Sequence, residues 1–302
     1  MNLPASPAQR PLLGIALMLI AMAVLPYLDV TAKYLGEAGV PVIQIVWARL
    51  FFGTMLTLPI VVGQFGWKSV TTPDSPGIQV LRSLLLLGST GLYFWSLKYL
   101  PVADALAIFF VQPLAVTLLS PIMLGEHVGI RRWSATVVGF IGTLIIIRPG
   151  FQAFNLGIVL ALGSGFAMAV YMLLTRKIAG RANALLTTLH TNAIGMVLIS
   201  IAVLFVWQTP TLEQWGLFVL LAVFATVGHY LIVRSFDFAE ASTLAPFSYT
   251  EIIMAVIGGW WFFGDFPDKW TFVGVAILIA SAIYMSHRER LRHIERAPEP
   301  AP

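Results

Sequence analysis

Four ionisable side chains, Arg49, His190, His229 and Glu251, stand in stretches that are otherwise apolar or uncharged, as in APFSYTEIIMAVIGG around Glu251. Gln112, Asn192, Tyr93 and Tyr249 add amide and phenol groups in similar surroundings. A carboxylate can hold a proton or a cationic group, a guanidinium an anionic one, and an imidazole can pass protons or hydrogen-bond a ring. Two readings of Glu251 and Arg49 stand side by side. They form a structural pair that joins two helices, or they form a binding set in which Glu251 takes a cationic group or proton and Arg49 takes an anion or tunes the acid. His190 and His229 are either a proton relay or interhelical hydrogen-bond donors. Asp29 and Asp104 read as residues of the outer interface, where snorkelling or a gate contact accounts for them. Trp47, Trp95, Tyr93, Phe110 and Tyr249 either stack on an aromatic ligand or fill space between helices.

Catalytic patterns are thin. The chain has no H-E-x-x-H, no G-x-S-x-G, no phosphate-binding Walker loop and no complete G-x-G-x-x-G. It has no cysteine, which excludes disulfides and thiolate metal sites. No cofactor, metal or catalytic residue is expected, and without a nucleotide loop any work against a gradient must be driven by another gradient.

The elements that position these groups follow from composition. Of 302 residues, 58% are hydrophobic and 11% charged, against roughly 25% charged in soluble domains. Apolar runs of the ~20 residues needed to cross a bilayer fall at 12 to 35, 41 to 63, 78 to 98, 101 to 121, 131 to 148, 155 to 176, 183 to 207, 214 to 236, 241 to 263 and 270 to 287. They are apolar on every side, which argues for helices and against alternating barrel strands. The chain is therefore expected to be all-α and polytopic, with ten transmembrane helices. Placing both termini on one side puts thirteen Lys and Arg there and four opposite, with Arg49 inside a span. The positive-inside rule then predicts an inner-membrane protein with both termini cytoplasmic. The net charge of +4 reflects that orientation and implies no nucleic-acid partner. Trp207, Trp215, Trp260, Trp261 and Trp270 near outer ends, with Trp67 and Trp133 near inner ends, form an aromatic belt.

A shift of 139 residues lays Ser96 on Ser235, Phe110 on Tyr249, Gln112 on Glu251, Gly125 on Gly264 and Glu126 on Asp265. A shift of 144 lays Tyr27, Thr31 and Lys33 on Tyr171, Thr175 and Lys177. The chain divides into five-helix repeats at 1–150 and 151–290 and a cytoplasmic tail at 291–302. Five crossings per repeat invert the second copy, the plan of secondary transporters. By depth at 1.5 Å per residue, Arg49, Gln112, His190, His229 and Glu251 lie at similar levels. With Asn192, Tyr249 and Tyr93 nearby they are expected to line one wet central cavity.

The segments FFVQPLAVTLLSPIMLGEHVGIRRWSATVVGFIGTLIIIRPG and APFSYTEIIMAVIGGWWFFGDFPDKWTFVG carry a family resemblance. The first has a mid-helix proline ahead of Gly-Glu, then Arg-Arg-Trp, then Arg-Pro-Gly. The sequence resembles the EamA-type drug/metabolite transporters from Gly14 to about Met285. Ile252 stands where proline is common, Gly264-Asp265 replaces Gly-Glu, and Glu251 replaces a frequent glutamine.

The chain is expected to be a monomeric or homodimeric carrier in the lipid bilayer. Its expected substrate is a small organic metabolite such as an amino acid, nucleoside or vitamin, moved by alternating access, with Glu251 read as the site of proton coupling. A lipid or lipid-linked sugar flippase and an intramembrane enzyme using Glu251 with a histidine are the alternatives.

Overall fold

Where water is excluded, backbone amides must satisfy one another, so each apolar run closes its own hydrogen bonds as a helix. The protein is described here as a computed structural model covering residues 10–96, 99, 105, 108–147, 156–254, 257, 261 and 269–295. Asp104 and the Gly264-Asp265 pair lie outside these residues. Helices run α1 Pro11–Glu37, α2 Val42–Thr71, α3 Pro76–Ser96, α4 Gln112–Leu124, α5 Ile130–Ile147, α6 Leu156–Ile178, α7 Ala184–Val203, α8 Leu212–Ser235, α9 Ala241–Ser248 and α10 Lys269–Glu295. No strand occurs among the described residues. Five of these helices, α1, α2, α6, α7 and α8, are individually long and apolar enough to cross a membrane.

The main packing pairs join helices from opposite halves. α1 lies on α8 and α3 on α6, while α2 meets α7, α4 meets α9 and α5 meets α10. Exchanging α1–α5 for α6–α10 in order maps this list onto itself. Two copies of one five-helix unit are thus interlocked, and five crossings per copy give them opposite senses in the membrane. Local bonds repeat as well: Thr31 Oγ1 donates to the Tyr27 carbonyl at 2.7 Å, and Thr175 Oγ1 to the Tyr171 carbonyl at 2.7 Å.

Helices in lipid associate through close packing and polar contacts more than through exclusion of oil from water. The Ala161, Gly165 and Ala169 ladder of α6 serves that purpose: a Cβ on Gly165 would sit 2.7 Å from the Phe109 carbonyl oxygen. Nearby, Ser89 and Ser164 donate to each other's carbonyls at 3.0 and 2.8 Å across the α3–α6 crossing. Such bonds contribute on the order of 0.6 kcal/mol each. Leu118, Ile122, Ile201 and Phe205 project outward, half-exposed or more, as a lipid-facing surface requires.

Candidate functional site

The site is built on two breaks in the backbone. In the first half, turn residues Phe110 and Val111 precede α4, whose first residue is Gln112; in the second, Tyr249 and Thr250 separate α9 from helical residues 251–254, which begin with Glu251. The hydrogen bonds at the breaks are equivalent. Val111 N donates to the Ile108 carbonyl at 3.1 Å, and Thr250 N to the Phe247 carbonyl at 3.1 Å. Pro113, lacking an amide proton, cannot continue the first helix through the turn. The Phe110 and Tyr249 rings then meet with centroids 5.9 Å apart, so the two breaks touch.

One cavity opens beside them, with about 120 Å³ of free internal space and a mouth open to solvent. Repeat-related residues line it in pairs: Thr90 with His229, Tyr93 with Ile232, Phe109 with Ser248, and Gln112 with Glu251. It also takes residues from the last turns of α1 and α3 and the first turns of α2, including Ala32, Phe94 and Ile45. The cavity therefore extends from the middle of the bundle toward the face opposite the N-terminus.

Its charges are Asp29, Arg49 and Glu251. Arg49 is buried, and its Nη2 donates to His229 Nε2 in a short hydrogen bond. Because a guanidinium only donates, Nε2 must accept, which leaves the ring proton on Nδ1. That Nδ1 and Arg49 Nε are both buried without a hydrogen-bond partner. Among the described residues, neither Asp29 nor Glu251 has a side chain at ion-pair or hydrogen-bond distance. The Glu251–Arg49 pair is not formed; one guanidinium nitrogen donates to His229 and both acids face the cavity. Asp29, expected at the outer interface, is exposed to the cavity itself. Gln112 is buried, with Nε2 2.8 Å from Met172 Sδ. Tyr93, Phe94 and Phe109 form an aromatic wall, Tyr93 meeting Phe109 edge-on at 5.4 Å.

Three expected residues lie elsewhere. His190 Nε2 approaches the Val70 carbonyl at 3.1 Å and lines a separate cleft with Lys68, Asp74 and Gln79, where Gly66 (φ 75°) kinks α2. Asn192 packs against Gly53, whose added Cβ would lie 2.8 Å from Asn192 Nδ2. Tyr249 is fully buried against Gly139. Of the other rings, Trp47 stacks on Phe51 at 4.7 Å and Trp95 is half-exposed on the outside.

The opposite end of the bundle is stitched shut. The Glu126 carboxylate accepts from the Ala241 and Ser242 amides at 3.0 and 3.1 Å, capping α9, and pairs with Arg176 Nε at 3.4 Å. Arg132 pairs with Glu240 and donates to Ser242 Oγ at 3.0 Å. Each link joins one repeat to the other on the face that carries the N-terminus. The central cavity is thus open toward one face while polar links between the repeats close the other.

Known proteins resemble this chain in sequence and in fold. The sequence profile of the EamA-like transporter family matches residues 12–148 and again 155–287. A S-adenosylmethionine uptake transporter of Rickettsia bellii is 28% identical over 279 residues, 92% of this chain and 94% of that one. A riboflavin transporter of Vibrio cholerae is 27% identical over 283 residues, covering 93% and 95%. A pseudopaline exporter of Pseudomonas aeruginosa is 24% identical, covering 92% and 97%. One crystal structure superposes with a TM-score of 0.78 at 16% identity, covering 94% of this chain and 98% of that one, a likeness of fold. The chain is a multi-pass membrane protein built of two repeats and belongs to the EamA-like transporter family.

Proposed function

We propose that this small-metabolite transporter carries a substrate with the charge pattern of S-adenosylmethionine: two cationic centres, one carboxylate and an aromatic base. The observation that carries this reading is the cavity's own inventory of two unpaired carboxylates, one guanidinium and an aromatic wall. Asp29 and Glu251 receive the cationic centres, Arg49 the carboxylate, and Tyr93, Phe94 and Phe109 the ring. An isolated charge near the bilayer centre costs about 2.5–3.5 kcal/mol on insertion scales, so two unpaired acids are best accounted for by a cationic occupant. Riboflavin, uncharged, fits the rings and leaves the acids unanswered.

The carrier works by alternating access in the inner membrane, with both termini cytoplasmic. The open cavity then faces outward, and the Glu126 and Arg132 links form the cytoplasmic gate. Between substrates, Asp29 and Glu251 hold protons or cations, which gives the return step a coupling ion; Arg49, His229 and Tyr93 are the charged and titratable groups beside them.

The reading is tested in proteoliposomes. Uptake of radiolabelled S-adenosylmethionine should exceed that of empty liposomes and be blocked by excess unlabelled compound but not by riboflavin. No uptake above the empty control contradicts it. A chemically altered product would favour the intramembrane enzyme instead.

A further inference from the structure

Arg82 takes no part in the cavity, yet among the described residues it is the bulkiest fully buried side chain, and it carries a permanent charge. Its partners are all neutral. Nε donates to Thr175 Oγ1 at 2.9 Å, Nη1 to Gln79 Oε1 at 2.8 Å and Thr191 Oγ1 at 3.2 Å, and Nη2 to the Tyr171 hydroxyl at 3.5 Å. The Tyr171 ring also lies 5.0 Å from the guanidinium carbon. No carboxylate pairs with it among the described residues. Helix-joining guanidinium groups at this depth call for a counter-ion. A neutral shell orients the group without cancelling its field, and four bonds leave one of its five N–H groups unspent.

Its position gives the field a use. Between Arg82 and the central cavity lies a small void of about 10 Å³, bounded by α2, α3 and α7. Val46, Arg49 and Thr90 line both spaces, so the void begins where the cavity ends. Thr191 lines the void and hydrogen-bonds Arg82; Gln79 hydrogen-bonds Arg82 and lines the cleft beside His190 on the N-terminal face. Arg49 and Thr191 thus border one void, and Thr191, Arg82 and Gln79 are linked by hydrogen bonds toward the cleft on the N-terminal face.

We propose that Arg82 is a second anion station, which receives the substrate's carboxylate from Arg49 as the substrate moves between α2, α3 and α7 toward the N-terminal face. This rests on the transport reading above and adds a route and a residue to it. The route is closed in the present state, and rearrangement of the latch opens it.

The test uses the absence of cysteine from the chain. Thr191→Cys and, as a reference in the cleft beside His190, Ser69→Cys are labelled from the N-terminal face in inverted vesicles. The probes are anionic ethylsulfonate and cationic trimethylammonium-ethyl methanethiosulfonates, with rates normalised to a free thiol. A focused positive field favours the anion. The anion-to-cation ratio at position 191 should exceed that at 69 about tenfold, persist in Arg82→Lys, and fall at least fivefold in Arg82→Gln. Equal ratios at the two positions with Arg82 intact, or no reaction at 191 from that face, overturn the proposal without any Arg82 variant having to fold. No metabolite enters the labelling, so a positive pattern with failed S-adenosylmethionine uptake would remove the substrate reading alone.

Discussion

Gln112 and Glu251 hold the same place in two copies of one motif: each is the first helical residue after a two-residue turn, and both line the same cavity. One copy presents an amide and the other an acid at a site where the repeats meet. The scaffold is therefore nearly two-fold while its chemistry is not, as a carrier of an asymmetric molecule requires.

Neutralising the acids should impair recognition and spare the fold. Asp29→Asn and Glu251→Gln keep shape and remove charges that no described side chain pairs at hydrogen-bond or ion-pair distance. Apparent affinity for S-adenosylmethionine should drop about tenfold or more in each, on the order of 1.4 kcal/mol. Thermal stability of the purified apo-protein should be unchanged or higher. A marked loss of stability in both variants would make the acids structural.

Tyr249 gives the opposite expectation. Its hydroxyl is buried without a hydrogen-bond partner, so Tyr249→Phe relieves a desolvated polar group and should leave uptake and melting temperature the same or better. Gly139→Ala, by contrast, places a methyl 2.9 Å from Tyr249 Cε2 and should destabilise the protein by about 1–3 kcal/mol. Thermal unfolding of the two variants reads both effects.

The two histidines should separate. His229 accepts from Arg49 in the cavity, and His229→Leu leaves that guanidinium short of a partner; uptake should fall at least tenfold. His190 lies in the other cleft, and His190→Gln can keep a bond to the Val70 carbonyl, so uptake should stay within about threefold of wild type. These ratios follow from a truncated charged hydrogen bond costing roughly 1.5–3 kcal/mol. Equal losses in both would argue for a relay.

Much of this was legible from residue types. Ten apolar runs, an odd number per repeat and the 139-residue shift are enough to give inverted five-helix copies, because lipid leaves the backbone no alternative to helices. The 139-residue register also pairs Gln112 with Glu251, and the structure makes them equivalent at the two breaks. Depth, however, is a coordinate along one helix and says nothing of the direction a side chain faces. Asp29 reads from sequence as an interface residue and in the fold turns into the cavity; Asn192 and Tyr249 sit at the right level and face neighbouring helices. Arg82 lies near the start of its helix, where a sequence reading counts it among interface charges. Only packing shows that its guanidinium is closed inside.

The latch should respond to a single proton-sized change. Glu126→Gln keeps one acceptor for α9 and removes the charge that answers Arg176 and the helix N-terminus, a loss of about 0.5–2 kcal/mol. Labelling of Thr191→Cys from the N-terminal face should then rise several-fold, as the latched state loses population.

The central claim is that Asp29 and Glu251 recognise positive charge on the substrate. The direct measurement compares equilibrium binding of S-adenosylmethionine with that of S-adenosylhomocysteine, which lacks only the methyl group that makes the sulfur cationic. Wild type should prefer the charged compound at least tenfold, and the preference should shrink toward unity when Asp29→Asn and Glu251→Gln are combined. Equal binding of the two compounds by wild type, or a preference that survives in the double variant, contradicts the account.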